Sequence, residues 1–192
     1  MTPATSISPA FRWRRRLVLC GLCLALALAA AWAWRQPFAV QARMAWQLAR
    51  MPAPAALPMP VDGLRARQVA DTFGAPRGSD RSHAGVDIFA PAGTPVRSTT
   101  PGIVVAVRER GLGGRQVWVL GPARERHYYA HLRDWAPGLA VGDIVAPGTV
   151  LGSVGNTGNA RTTPPHLHYG VYAGDGALDP LPRLRATQQA GH

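Results

Sequence analysis

Between residues 86 and 154, glycine and proline interrupt the chain every few residues, and this punctuation limits the fold more than any other feature. Short β-branched runs lie between the breaks: residues 102–108 (GIVVAVR), 116–120 (QVWVL), 143–146 (DIVA) and 150–154 (VLGSV). Runs of four to seven residues, separated by turn signals such as residues 111–114 and Pro147-Gly148, specify antiparallel strands in a sandwich or barrel-like sheet. No stretch beyond residue 75 carries a helical period, and one short helix is expected at residues 64–72, ending before Phe73-Gly74. The expected class is all-β, an antiparallel sheet or sandwich preceded by a single N-terminal transmembrane helix.

That helix is read from residues 17–34, eighteen apolar residues without a charge. About twenty such residues span a bilayer core. Trp13, Trp32 and Trp34 stand near the ends, where interfacial aromatics belong. Arg12, Arg14, Arg15 and Arg16 crowd the N-terminal flank, whereas Arg35, Arg43 and Arg50 are spread along the other. This bias orients the N-terminus to the cytoplasm and exports the remainder. A cleavable signal sequence competes, because Ala29-Ala30-Ala31 and Ala31-Trp32-Ala33 offer small-residue cleavage sites. The length of the run favours an uncleaved anchor.

The expected organisation is a basic cytoplasmic tail (1–16), an anchor in the inner (cytoplasmic) membrane (17–35), a juxtamembrane helix and linker (36–60), a folded unit (61–185) in the periplasm or outside, and a tail (186–192). Pro37 suits a first helical turn, and Val40, Met44, Leu48 and Met51 form the stripe of the juxtamembrane helix. The following MPAPAALPMP reads as a semi-rigid spacer.

The net charge of +11 comes from arginine alone, since the chain has no lysine. Seven arginines and no acids precede Met51; beyond it, fourteen arginines are interspersed with ten acids. The folded part is thus only mildly basic, which argues against a nucleic-acid partner. Cys20 and Cys23 lie inside the apolar run, without the further ligands that a structural zinc needs.

The chemistry concentrates in three places: His83-Ala-Gly-Val-Asp87, Tyr128-Tyr129-Ala130-His131-Leu132, and Pro165-His166-Leu167-His168. His166 and His168, two apart, would project from one strand face about 6–7 Å from each other. On an extended strand His83 and Asp87 would be about 13 Å apart, too far to share an ion. A bend at Gly85, which tolerates unusual dihedrals, would bring them together. Two histidines and an aspartate make a three-ligand zinc site with the fourth position open for water. His127 and His192 fall outside these elements.

These residues occur in a longer series. His83-x-Gly-Val-Asp87-Ile is followed by Pro91-Ala-Gly-Thr-Pro-Val, Gly102-x-Val, Tyr129-Ala-His131-Leu132, Gly142-Asp-x-Val, Gly155-Asn-Thr-Gly158 and Pro165-His-Leu-His168. The series closely resembles the lysostaphin/LytM-like zinc endopeptidases, in order, from about residue 73 to 180. The resemblance implies an antiparallel β fold with a substrate groove. It implies one Zn²⁺ per domain held by His83, Asp87 and His168, with His131 and His166 as non-ligand catalytic histidines. Tyr129, expected to share a strand face with His131, is a candidate oxyanion or substrate contact, as are Asn156 and Thr157. Peptidoglycan stems or cross-links are the implied substrate, and a regulatory envelope protein is a candidate partner. Two departures stand out: Thr163-Pro164-Pro165 where the family has Thr-Gly-Pro, and Gly170 where it has Glu.

The expected activity is zinc-dependent hydrolysis of wall peptides. The alternative is a non-enzymatic relative that activates another wall hydrolase; such relatives lack metal or catalytic positions that this chain retains. The hairpin-like runs at 102–107 and 141–151 also suggest a biotinyl- or lipoyl-type carrier, but such a carrier needs a modifiable lysine, and the chain has none.

Overall fold

The computed structural model describes residues 9–78, 81–174 and 176–189. His192 and the ends of both expected tails lie outside the described residues. The chain divides into two compact units, residues 1–42 and 43–192.

The first unit is dominated by helix α1 (Pro9–Trp34). Leu17, Leu19, Leu22, Leu24, Leu26 and Leu28 are all exposed, so among the described side chains this helix buries no apolar stripe. Helix α2 (Pro37–Arg50) follows, bounded by the expected proline. Leu48 near its end is buried, and the Met51 carbonyl accepts a hydrogen bond from the Ala123 amide at 3.1 Å.

Among the described residues, the second unit contains ten strands in two antiparallel sheets. They are β1 (Val86–Phe89), β2 (Pro95–Arg97), β3 (Gly102–Glu109), β4 (Arg115–Leu120), β5 (Arg126–Ala130), β6 (Leu132–Trp135), β7 (Ile144–Val145), β8 (Val150–Val154), β9 (His166–Ala173) and β10 (Gly176–Leu178). The larger sheet runs β1-β9-β5-β4-β3-β7, with β10 also paired to β9. The smaller runs β2-β8-β6. The β-branched runs of the sequence become β3, β4, β7 and β8, as their punctuation requires.

One core joins the sheets. Val86, Ile88, Val117, Val119, Leu167, Tyr169 and Val171 enter from the larger sheet, and Val96, Leu132, Leu151 and Val154 from the smaller. Alternation then dictates what the other face of β9 and β5 must carry. On β9 the odd positions 167, 169 and 171 are fully buried, so His166, His168, Gly170 and Tyr172 lie on the opposite face. The same division on β5 puts His127 and Tyr129 in the core and Tyr128 and Ala130 on the outer face.

Two expectations are corrected. The helix expected at residues 64–72 is a single 3₁₀ turn, Ala66–Gln68, anchored by buried Ala66. Conversely, α3 (Leu181–Gln189) forms where the sequence carries no helical period. Its signal is too short for periodicity to register. Asp179 Oδ1 accepts the Leu181 amide at 2.9 Å, Pro182 occupies the first turn, and the one core-facing pair, Leu181 and Leu184, is buried. Tertiary contacts hold this helix. Arg183 donates to both oxygens of buried Glu125, at 2.9 and 2.7 Å, and Thr187 Oγ1 donates to the Leu57 carbonyl at 2.7 Å.

Candidate metal centre and active site

His168 and Asp87 face each other across a strand pair, since β1 and β9 align Asp87 with His168. His83 reaches the same point from the segment before β1, where the chain bends at Gly85. Gly85 is required for a reason other than unusual dihedrals, because it lies outside the positive-φ region. A Cβ on it would stand 2.4 Å from the Tyr169 carbonyl oxygen and 3.0 Å from the His168 ring. The absent side chain lets the bend lie flat against β9.

Three donor atoms converge as a result. His83 Nε2 is 2.8 Å from His168 Nδ1 and 3.0 Å from Asp87 Oδ1, which is 3.1 Å from His168 Nδ1. Zinc bonds of about 2.0–2.1 Å at tetrahedral angles separate donor atoms by about 3.3 Å, so this triangle fits such an ion with shifts of a few tenths of an ångström. Among the described residues, these three are the set able to hold a metal.

Their surroundings are organised for ligation. A backbone carbonyl can only accept, so the Thr72 carbonyl at 2.7 Å fixes the proton of His83 on Nδ1 and leaves the Nε2 lone pair for a metal. Thr72 Oγ1 also accepts the Asp87 amide at 3.1 Å. The Arg77 guanidinium bonds Asp87 Oδ2, leaving Oδ1 to the histidines. Burial opposes the charge of Asp87, but hydrogen bonds to His168 and His83 outweigh it and hold its pKa well below the usual carboxylate range. Burial pushes His168 down, against the hydrogen bond and charge of Asp87.

Two further histidines face the triangle. His166 Nδ1–H donates to the Pro164 carbonyl at 2.9 Å, and its Nε2 lies 3.8 Å from Asp87 Oδ1. His131 Nδ1–H donates to the Thr157 carbonyl at 2.9 Å. The two rings meet edge to face with centroids 5.0 Å apart. Both tautomers are therefore set by backbone carbonyls, and each ring keeps an Nε2 lone pair. Burial, then the neighbouring His166 and His168, lower the pKa of His131 to about 4, so it is neutral at neutral pH.

His131 adopts φ 63°, a left-handed conformation uncommon for a residue other than glycine. This explains why Tyr129 is misplaced in the sequence reading. Regular alternation puts residues 129 and 131 on one face, but the turn at 131 swings the imidazole out of the core. Tyr129 stays behind fully buried, its hydroxyl 2.9 Å from both the amide and Oγ1 of Thr99. Tyr128 lines the cleft instead. Thr157 acts through its backbone and its hydroxyl; Oγ1 accepts the Arg115 amide at 2.9 Å and donates to the Leu132 carbonyl at 3.0 Å. Asn159, rather than Asn156, lines the cleft.

The five sequence-derived residues His83, Asp87, His131, His166 and His168 thus line one cleft of about 300 Å³. Arg77, Tyr128 and Asn159 line it too, although none was singled out from sequence. For Tyr128 the signal was present, since it neighbours Tyr129 in the same motif. The cues for Arg77 and Asn159 are purely tertiary.

The sequence profile described as Peptidase family M23 matches residues 81–180. The chain belongs to this family. An M23 relative, the L-Ala–D-Glu endopeptidase of Bacillus subtilis (strain 168), is 42% identical over 121 residues, covering 58% of this chain and 37% of that protein. The chain thus spans little more than a third of that relative's length. Among solved M23 structures, the catalytic domain of the antimicrobial peptidase lysostaphin from Staphylococcus simulans superposes with TM-score 0.54 at 32% identity, covering 61% of this chain and 91% of that one. A zinc-containing peptidase from Vibrio cholerae superposes with TM-score 0.57 at 30% identity, covering 66% and 39%.

Proposed function

We propose that this M23 chain is a zinc-dependent endopeptidase of the cell envelope that hydrolyses peptide bonds in peptidoglycan stems or cross-links. The observation that carries the reading is the convergence of His83 Nε2, Asp87 Oδ1 and His168 Nδ1 within 3.1 Å, faced by two histidines that do not belong to the triangle. The wall-peptide substrate is supported by the linkage named for the Bacillus relative, and the metal by the zinc-containing Vibrio peptidase.

Zinc bound by the triangle supplies Lewis-acid polarisation of the scissile carbonyl and a water acidified toward neutral pH. The chain's own groups do the rest. Either His131 or His166 accepts the proton of the attacking water at Nε2 and returns it to the leaving amine. The other would donate a hydrogen bond to the developing oxyanion from Nε2 in its imidazolium form, because its neutral tautomer leaves Nε2 without a proton. The Thr157 and Pro164 carbonyls orient both rings and keep each neutral Nε2 free to accept that proton.

The exposed apolar helix α1, with residues 16–34 long enough to cross a bilayer, supports tethering to the inner membrane with the peptidase domain outside the cytoplasm.

The test is incubation of the purified chain with peptidoglycan sacculi, with and without a chelator, and mass spectrometry of the released fragments. His166→Ala is expected to retain one zinc and lose cleavage; His83→Ala is expected to lose the metal. A fully active, stoichiometrically metallated His166→Ala protein would refute the mechanism. A zinc-loaded wild-type chain that cuts nothing would refute the enzyme and favour an activator.

A further inference from the structure

The sheet face that carries His166 and His168 continues past the metal centre. Register sets Tyr128 opposite Gly170, Arg126 opposite Tyr172, Trp118 opposite Tyr128, and Arg108 opposite Gln116, two positions along β4 from Trp118. Directly opposed residues share a face, so these side chains continue across β5, β4 and β3 the sheet face from which Tyr128 lines the cleft.

Three of them form a continuous aromatic surface. Trp118 stacks on Tyr128 with centroids 4.3 Å apart, and Tyr172 lies 5.4 Å from Trp118 and 6.3 Å from Tyr128. Tyr128 meets His168 edge-on at 5.6 Å, joining this shelf to the metal centre. Tyr172 reaches inward because Gly170 has no side chain; a Cβ there would be 2.9 Å from Tyr172 Cε2. The departure from the family pattern at Gly170 is thus filled by an aromatic ring. All three rings are half-buried, leaving part of each to solvent.

Two arginines border the shelf. The Arg126 guanidinium stands 6.0 Å from the Trp118 ring centroid. Arg108 lies near enough to Tyr128 for its charge to bear on the phenol, and its Nε is buried without a hydrogen-bond partner. Among the described residues, no carboxylate forms an ion pair with either arginine. Exposed ring faces beside guanidinium groups suit an extended chain bearing an anion. A neutral sugar ring would use the aromatics and leave the charges idle. Two strand spacings of about 4.8 Å lead from Trp118 to Gly170, and His168 lies two residues further along β9, so Trp118 is about 12 Å from the His168 position. Three to four residues of extended peptide cover that span, at about 3.3–3.6 Å each.

We propose that Trp118, Tyr128, Tyr172, Arg108 and Arg126 form a subsite that receives the peptide arm of the substrate beyond the cleaved bond and binds a free carboxylate on it. The proposal rests on the reading of the cleft as a wall-peptide peptidase. A D-glutamyl residue, the residue type named for the Bacillus relative, supplies such a group where the bond cut lies about three residues along the stem from it rather than at it.

The experiment uses the full, zinc-loaded chain and two synthetic wall stem peptides, identical except that the D-glutamyl α-carboxylate is a carboxamide in one. Wild type is expected to favour the carboxylate form about fivefold, the worth of one partly exposed ion pair, expressed in KM rather than kcat. Arg126→Gln should abolish that preference with zinc content intact, and Trp118→Ala should weaken both peptides. Arg126 is exposed, so its variant reads the subsite even where Trp118→Ala fails to fold. Equal handling of the two peptides by wild type, or a preference that survives Arg126→Gln, overturns the subsite even while cleavage proceeds. If neither peptide is cut, the same comparison is made by calorimetry. Carboxylate-selective binding that Arg126→Gln removes then upholds the subsite while the peptidase reading falls. Binding that ignores the carboxylate and extends to neutral glycan fragments would overturn it in favour of a sugar platform.

Discussion

Adding a single methyl group at Gly85 tests the whole construction of the metal centre. The Cβ of Gly85→Ala would sit 2.4 Å from the Tyr169 carbonyl oxygen and 3.0 Å from both His168 Cε1 and Nε2. Ordinary contact begins near 3.4 Å, so the bend and β9 must separate by about 1 Å at the backbone. Tyr169 pairs with Val86 in the β1–β9 ladder, and neither strand can shift without moving Asp87 or His168. Overpacking of this kind costs about 1–3 kcal/mol. The metal is more sensitive, because ligand distances are held to roughly ±0.2 Å and the required shift is several times larger. We expect Gly85→Ala to lose about 1–3 kcal/mol in urea unfolding of the metal-free protein. Zinc affinity should fall by at least about tenfold, the scale of losing one supporting interaction around a metal. Competition with a chromophoric chelator measures the affinity and urea titration the stability. Wild-type values in both assays would show that the close approach at Gly85 has no role in setting the ligand triangle.

Three more outcomes follow from particular contacts. Arg183→Leu removes both hydrogen bonds to Glu125, whose side chain is 3% exposed, and should cost about 3–5 kcal/mol in denaturant unfolding by stranding a buried charge; a loss below about 1 kcal/mol would mean Glu125 finds another partner or a proton. His127 is held at about 4 in the fold, by burial and then by the charge of Arg183, against an ordinary 6.5. The unfolded chain therefore binds this proton more readily, and stability drops as pH falls from 6.5 toward 4, by about 3 kcal/mol across the window. Urea titrations from pH 7 to pH 4 should show a shallower decline in His127→Gln than in wild type, and parallel curves would count against the account. Thr157→Val leaves the Arg115 amide and the Leu132 carbonyl without their shared hydroxyl and loosens the carbonyl that orients His131. Its stability should fall by about 1–2 kcal/mol and its kcat should drop with zinc content intact, measured by unfolding and by sacculus digestion.

What could be read from the chain alone has a common physical basis, which is short range. Glycine and proline end strands wherever they occur, so the β-branched runs at 102–108, 116–120 and 150–154 announced β3, β4 and β8. The two-residue period of a strand put His166 and His168 on one face before any fold was known, and eighteen uncharged residues dictated an exposed apolar helix. The ordered motifs, through their resemblance to a known family, brought five candidate metal and catalytic positions forward together. Long-range geometry decided the rest. The left-handed turn at His131 is held by the Gly113 and Thr157 carbonyls from distant loops, and it alone moves the imidazole away from Tyr129's face and leaves Tyr128 at the cleft. Gly85 is needed because β9 passes against it, which no local rule of dihedral preference reveals. Arg77 reaches Asp87, α3 forms over Glu125, and Tyr172 fills the space above Gly170, each through partners remote in sequence or across a strand. Periodicity and turn chemistry act over a few residues and survive in a string of letters. The bridging of sheets, the tautomers of the histidines and the extent of the cleft floor depend on which strands become neighbours, and only the folded chain supplies that.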